Sequence, residues 1–237
     1  MSTFSRRLLS STLLCAFAVA PAFAASSVTG TVTYTGKVPT LKPVDMAADP
    51  ACAAKHAGAP QPSDVLVLGS GNTMANVMVR VKSPVAASAA PATPVVIDQK
   101  GCHYTPHVVG VMVGQTLQLR NSDGLLHNVH ALPKVNTPFN MAMPANRTEA
   151  DTKFGKEEGM FMVKCDVHGW MTAYVGVFNN PFFAVTGTDG KFSIPNLPAG
   201  TYEIEAWHEK LGTRTATVTV AAAGPAKADF AFAPPGQ

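Results

Sequence analysis

Cys165, His168 and Met171 stand three residues apart in the string Cys165-Asp166-Val167-His168-Gly169-Trp170-Met171, and His127 lies 38 residues upstream of the cysteine in Leu126-His127-Asn128-Val129-His130. One thiolate, two imidazoles and one thioether form the donor set of a trigonal copper centre with a weak axial methionine, a site that moves single electrons. The spacing suits that chemistry. A thiolate and an imidazole three positions apart reach one ion from a tight loop, and Met171 re-enters the next strand along the axis. His127 arrives from a neighbouring strand and completes the set. Donors fixed in this way hold an ion in nearly the same geometry in both oxidation states, so little reorganisation opposes electron transfer.

Competing chemistries find less in the sequence. Structural zinc gathers a fourth cysteine or histidine, and a thioether is a poor zinc ligand. Dithiol redox work wants a Cys-x-x-Cys pair, and nucleophilic catalysis a Gly-x-Ser-x-Gly elbow or a second Cys/His pair; the chain has none of these. Copper oxidases and nitrite reductases need a second copper site with extra histidines, and His130 follows His127 too closely to supply it. A carrier rather than an enzyme is expected.

The remaining soft and basic side chains are weaker candidates. His130 sits an odd number of residues from His127, so on a strand it faces the other way. His107, after Pro106, is a minor ligand candidate, and His103 flanks the same segment. His56 and His208 read as ordinary surface residues. Met160 and Met162 read as alternate core positions of one strand, whereas Met141 and Met143 are either core or additional thioethers for a copper-carrying protein.

Several elements must hold these groups in place. The first 24 residues read as a cleaved export signal, with Arg6 and Arg7, the apolar run Leu8 to Val19, and the small-residue site Ala22-Phe23-Ala24. A lipid-anchored reading at Cys15 is disfavoured by Leu14. The expected mature chain is periplasmic, without membrane insertion, in an oxidising compartment. It carries 16 bases against 15 acids, a net +1 that provides no field for nucleic acid. Nineteen glycines, nineteen prolines and sparse charge favour short strands joined by turns, an all-β chain. Three cysteines survive export. If Cys165 binds metal, Cys52 and Cys102 are left to pair, although connectivity is not fixed by sequence alone.

Alternation predicts strands at 28–36, 75–82, 127–132, 160–164 and 172–178, and two strand halves in 108–120 around Val113-Gly114-Gln115. Residues 47–72 read as a loop carrying Cys52, and 84–94 as a Pro/Ala linker. Residues 95–179 then form one β-sandwich. Beyond it, Asp189-Gly190 between alternating runs predicts a hairpin, Pro198-Ala199-Gly200 a second turn, and 215–221 and 228–233 further strands.

His127-Asn128-Val129-His130 and Cys165-x-x-His168-x-x-Met171 resemble the copper-binding motifs of the amicyanin-like cupredoxins. The lead-in Tyr104-x-Pro106, Val113-Gly114-Gln115-Thr116-Leu117 and Asn121 is similar as well, so the resemblance covers 95–179. It implies a Greek-key β-sandwich holding one type 1 copper on His127, Cys165, His168 and Met171. Asn128 would bridge the two ligand loops. His168 would be the exit towards a redox partner of the dehydrogenase or c-type cytochrome class, with Leu125, Leu126 and Trp170 as an apolar docking patch. The amicyanin-like loop also points to methylamine utilisation. Two departures stand out: Gly169 replaces the proline that such loops carry after the second histidine, and Trp170 replaces another aromatic. The alternatives are a copper-trafficking or storage protein, or a structural β-sandwich protein with a vestigial copper site.

The string Thr186-x-x-Asp189-Gly190-x-Phe192-x-Ile194-Pro195-x-Leu197-Pro198-x-Gly200-Thr201-Tyr202 resembles a carboxypeptidase regulatory-like domain, a transthyretin-like β-sandwich. Such domains open with a Gly-x-Val strand, which Gly30-Thr31-Val32 supplies. The resemblance therefore implies a discontinuous sandwich from 28–92 and 180–237 with the copper module inserted, and a Cys52–Cys102 bridge tying the two together. Three sequential pieces are the plainer arrangement. Trp207-His208-Glu209 reads as a partner-binding string or an exposed strand end.

Overall fold

Alternating burial is visible from the first strand of the computed structural model, which describes residues 26–234. The export signal expected at 1–24 lies outside the described residues. β1 (Ser27–Tyr34) buries every second residue, as a half-buried strand should. A short helix, α1 (Pro50–Lys55), and then β2 (Met78–Val81) precede the segment expected to form the copper module. That segment supplies β3 (Val95–Gln99), β4 (Tyr104–Thr105), β5 (Val108–Met112), β6 (Leu117–Asn121), β7 (His127–Ala131), β8 (Phe139–Met143), β9 (Glu149–Thr152), β10 (Glu158–Lys164) and β11 (Thr172–Phe178). The chain continues with β12 (Phe183–Val185), β13 (Lys191–Pro195), β14 (Gly200–His208), β15 (Gly212–Val220), β16 (Pro225–Lys227) and β17 (Phe230–Phe232). The described residues are all-β apart from α1 and one short 3-10 turn at Ser70–Asn72.

Two β-sandwiches result. In the first, a sheet of order β5-β11-β10-β7-β8 faces a sheet of order β4-β3-β6-β9. Ile97, Leu117, Leu119, Val129, Val163 and Val175 fill the space between them. β5 runs parallel to β11 and β3 parallel to β6, so these neighbours in space are distant in sequence. In the second, β13-β1-β16, with β17 also paired to β1, packs on β12-β2-β14-β15. Val28, Val32, Ile194, Leu197, Ile204 and Phe232 form its interior. Both sheets of this sandwich combine a strand from before the first sandwich with strands from after it: β1 lies parallel to β17, and β2 lies antiparallel to β12 and β14.

The expected Asp189-Gly190 hairpin does not form. β12 pairs with β2 and β13 pairs with β1, so the turn carries the chain from one sheet to the other. Gly190 has φ +65°, and a Cβ there would meet the Val32 carbonyl oxygen at 2.5 Å. The turn residue thus serves a close backbone crossing. The 47–72 segment is also not all loop. Asp49 caps α1 by accepting from the Ala51 and Cys52 amides, and Pro50 occupies its first turn. Cys52, from this segment, and Met46, just before it, belong to the first core, although the sequence assigns the region to the second sandwich.

The two sandwiches meet along Met78, Val108, Tyr174 and Phe178, with Phe183 and Trp207 against them. Phe178 and Phe183 ring centroids are 4.8 Å apart, and Tyr174 lies 5.1 Å from Trp207. Here three expectations need correction. His208 is a buried residue, not a surface one. Glu209 is nearly inaccessible, pairing with His107 Nε2 and accepting from the Tyr174 hydroxyl at 3.1 Å. Trp207-His208-Glu209 therefore ends β14 against the first sandwich instead of at an exposed edge. Met162 faces solvent, because the register shift between Glu158 and Phe161 leaves Phe161 and Val163 as the inward residues of β10.

Candidate metal centre

β7 opens on His127, and Cys165 follows directly on the end of β10. The loop from Cys165 to Met171 closes on itself. The Cys165 amide donates to the Met171 carbonyl at 3.1 Å, and the Met171 amide to the His168 carbonyl at 2.9 Å. β7 pairs with β10 through Ala131–Val163 and His130–Lys164, which brings the two ligand segments side by side. His127, Cys165 and His168 are all buried, and their nearest donor atoms lie within 4.8 Å of one another. His127 Nδ1 is 2.9 Å from His168 Nδ1, and Cys165 Sγ is 3.9 Å from His168 Nδ1. The His168 amide points at the same sulfur, at 3.4 Å. Met171 is fully buried at the end of the loop. Met143 is fully buried too, and it stands directly opposite His127 in the β7–β8 ladder, on the same sheet face.

Asn128 links the loops. Its Oδ1 accepts from the Asp166 amide at 2.7 Å and lies 3.3 Å from Cys165 Sγ. Its Nδ2 donates to Asn140 Oδ1 and Asp166 Oδ2. The Tyr104 hydroxyl, itself buried, donates to the Asn128 carbonyl. The start of the Cys165 loop is held to β7 in this way.

The outer nitrogens of the two imidazoles each meet a carboxylate. His127 Nε2 lies 2.9 Å from Asp123 Oδ2 and His168 Nε2 lies 3.0 Å from Asp49 Oδ2. Asp123 also accepts from the Gly101 and Cys102 amides and pairs with Lys55. The side chains of Cys52 and Cys102 are joined as a disulfide, with Cys52 Sγ 3.6 Å from His168 Nε2. The ring of His168, expected as the exit towards a redox partner, is buried beneath α1 and the disulfide. Trp170 is only half-exposed; its Nε1 donates to the Cys102 carbonyl and its ring lies 5.1 Å from His168. Leu125 is half-buried against the core, leaving Leu126, at 52% exposure, as the open member of the expected patch.

Charge follows this arrangement. Burial alone would push the His127 imidazole down, but the Asp123 hydrogen bond and the Cys165 sulfur raise it to about 9. Burial pushes the Cys165 thiol up, yet the His127 contact and the backbone amides of the loop bring it to about 7. Asp123 is held well below the usual carboxylate range by His127 and two backbone amides, in spite of its burial. The two shifts together favour a proton on the imidazole over one on the sulfur, and cation binding would displace it. The soft thiolate, two imidazoles and nearby thioethers suit copper.

His107 is committed elsewhere, to the Thr172 carbonyl and Glu209, and does not join the cluster. His130 points outward and pairs with Asp166 at 2.9 Å. Asp49 and Asp123 escaped the sequence reading. Asp49-Pro50 carries a helix-start signal, but nothing local ties that helix to a histidine 119 residues away.

The carboxypeptidase regulatory-like domain family matches residues 172–233, from β11 to β17. No curated protein matches the chain. Among solved structures, the chain is similar to a copper-containing nitrite reductase from Thermus scotoductus SA-01 at 22% identity and TM-score 0.33, over 41% of this chain and 25% of that one. It thus spans about a quarter of that enzyme's length. An oxidised proline-to-glycine variant of amicyanin is similar at 25% identity and TM-score 0.33, over 42% of this chain and 97% of that one. A purple cupredoxin from Nitrosopumilus maritimus is similar at 21% identity and TM-score 0.29, over 35% of this chain and 97% of that one. Likenesses at these scores say nothing of chemistry, and the case for a metal rests on the donors themselves.

Proposed function

We propose that this chain is an exported single-electron carrier that holds one type 1 copper on His127, Cys165, His168 and Met171. The observation that carries this reading is the convergence of two Nδ1 atoms and a thiolate sulfur, all buried, from one strand and one self-closed loop. Bound copper supplies a reversible one-electron couple. His127 and His168 would hold it through their inner nitrogens and Cys165 through its thiolate, with the buried Met171 offering a thioether to complete the set. Asn128 holds the thiolate loop against β7, so the donors keep their places through a redox cycle. Dense packing around the donors favours a carrier over an enzyme, because a catalytic metal needs an open position.

The partners are redox proteins of the dehydrogenase or cytochrome class, meeting the chain in the periplasm, with methylamine utilisation as the pathway. The second sandwich draws on 28–92 and 180–237, with the copper module 95–179 inserted between them and the α1 region packed on that module, a division supported by β1 and β2 pairing with strands beyond β11. Among the described residues no helix is long and apolar enough to cross a membrane.

Addition of Cu(II) to the purified chain and to Cys165→Ala tests the reading. An intense visible thiolate-to-copper band, bleached reversibly by reductant and missing in the variant, is expected. A colourless wild-type product sinks it, and rapid transfer of copper to an apo-acceptor would favour trafficking instead.

A further inference from the structure

Resting on that reading, we propose that Asp49 and Asp123 are a matched pair of positioning residues. Each hydrogen-bonds the outer nitrogen of one metal-binding imidazole, and α1 with its disulfide carries Asp49 to that place from outside the sandwich.

Four side chains form a line: Asp123, His127, His168 and Asp49. Their successive contacts are 2.9, 2.9 and 3.0 Å. A carboxylate is an acceptor only, so the imidazole nitrogen it touches must carry the proton. Nε2–H on both rings leaves the Nδ1 lone pairs for the metal, and no rotation of either ring is needed on binding. The two carboxylates arrive by different routes. Asp123 lies in the turn before β7, four residues ahead of His127, and two backbone amides with Lys55 hold it there. Asp49 comes from a segment that belongs to neither sheet of the first sandwich. Its Oδ1 caps α1 while its Oδ2 reaches His168, so one side chain both starts the helix and orients the ligand. Cys52, three residues on, is bonded to Cys102, whose amide is held by Asp123. The disulfide therefore ties the two carboxylate supports into one unit.

Two consequences follow for the site. Negative charge behind each ring strengthens its inner nitrogen as a donor and favours the more highly charged metal state. With its outer nitrogen engaged and only 2% of the residue exposed, His168 cannot swing away to take a proton from solvent.

Asp49→Asn removes the charge, and Asp49→Ser keeps the helix cap but is too short to reach His168. In copper-free wild type, nitrogen-15 NMR should place a protected proton on His168 Nε2, and both variants should lose that protection while retaining the disulfide and the near-UV circular dichroism. In the copper-loaded proteins both variants should keep the visible band and shift to higher reduction potential, with Asp123→Asn shifting in the same direction. A proton on His168 Nδ1 with a bare Nε2 in the copper-free wild type overturns the proposal, as does an unchanged potential in both Asp49 variants. Because the NMR readout needs no metal, a colourless wild type would sink the carrier reading and leave the carboxylate pairing to be judged on its own.

Discussion

His127 and His208 are both buried, one in each sandwich, and their imidazoles are driven in opposite directions. His127 stands between Asp123 and Cys165 and is raised to about 9. His208 is lowered to about 4 chiefly because burial penalises its charged form, with the Glu209 charge too weak to compensate. The same contrast runs through the two interiors. The first sandwich buries Asn121, Asn128, Glu158, His127 and His168, each hydrogen-bonded, whereas Thr186 and His208 are the buried polar side chains beside the apolar cluster of the second. A buried polar group is tolerated where partners satisfy it, and such groups gather where chemistry is done. Under the proposed carrier reading the first sandwich is the working module and the second its support.

If the second sandwich is support, damage to it should cost stability and spare the centre. Ile204 is fully buried on β14 between β2 and β15. Ile204→Ala should lower unfolding stability by about 2–5 kcal/mol, as removal of a buried branched side chain does. Denaturant titration measures the loss, and the copper band of the folded variant should match wild type. A band displaced or lost would show that the modules are not separable in function.

A second test uses the sign of the histidine shifts. The folded pKa of His208 lies below its unfolded value of 6.5, so the unfolded chain binds the extra proton first. Stability from this group is complete above 6.5 and is lost as pH falls towards 4, by at most about 3 kcal/mol. His208→Gln should flatten the stability profile in that window. An unchanged acid limb would mean that other groups control it.

In the copper-free first sandwich the corresponding effect should cancel. Raising His127 gives stability that is present below 6.5 and lost as pH rises through about 9. Lowering Cys165 from 9.0 to about 7 gives stability that is present above 9.0 and lost as pH falls through about 7. Between about 7 and 9 the folded pair and the unfolded pair each bind one proton, so their joint slope is flat. Cys165→Ala breaks the cancellation. Its stability should fall with rising pH from about 6.5 upward, by less than the His208 effect, since the thiolate's share of the shift is gone. Equilibrium unfolding of the copper-free proteins at pH 6, 7, 8 and 9 resolves the two profiles.

Legibility in the sequence followed the same division between local and distant causes. The Cys165 loop, β7 and β11 were readable because period-2 alternation and a three-residue donor spacing are local signals. β9 was missed because Glu149-Ala150-Asp151-Thr152 is largely polar and half-exposed, and β8 because Ala142 breaks the polar half of an alternation only five residues long. Asp189-Gly190 marked a turn correctly, yet its partner strands were chosen by packing against β1 and β2, more than a hundred residues away. The carboxylates behind the two ligand histidines depend on a helix that covers the site from outside, and no periodicity predicts where such a cover lands. The cover over His168 was illegible for that reason, and the surface role given to His208 failed because β14 closes against the other module.

The smallest effect comes from two glycines, one in each module. Gly169 lies in the ligand loop, its φ is not in the left-handed region, and a Cβ there would meet no atom within 4 Å. Gly169→Ala should therefore narrow the unfolded ensemble without straining the loop, raising stability by about 0.4–1 kcal/mol. Gly190 carries φ +65° and faces the Val32 carbonyl at 2.5 Å, so Gly190→Ala should be destabilising by more than that gain. Thermal unfolding of the pair separates the cases, and the visible spectrum of copper-loaded Gly169→Ala should stay in place. A blue band that moves on adding one methyl group would mean that the loop relies on the freedom of glycine at 169, and that its rigidity does not come from Asn128 and the paired carboxylates alone.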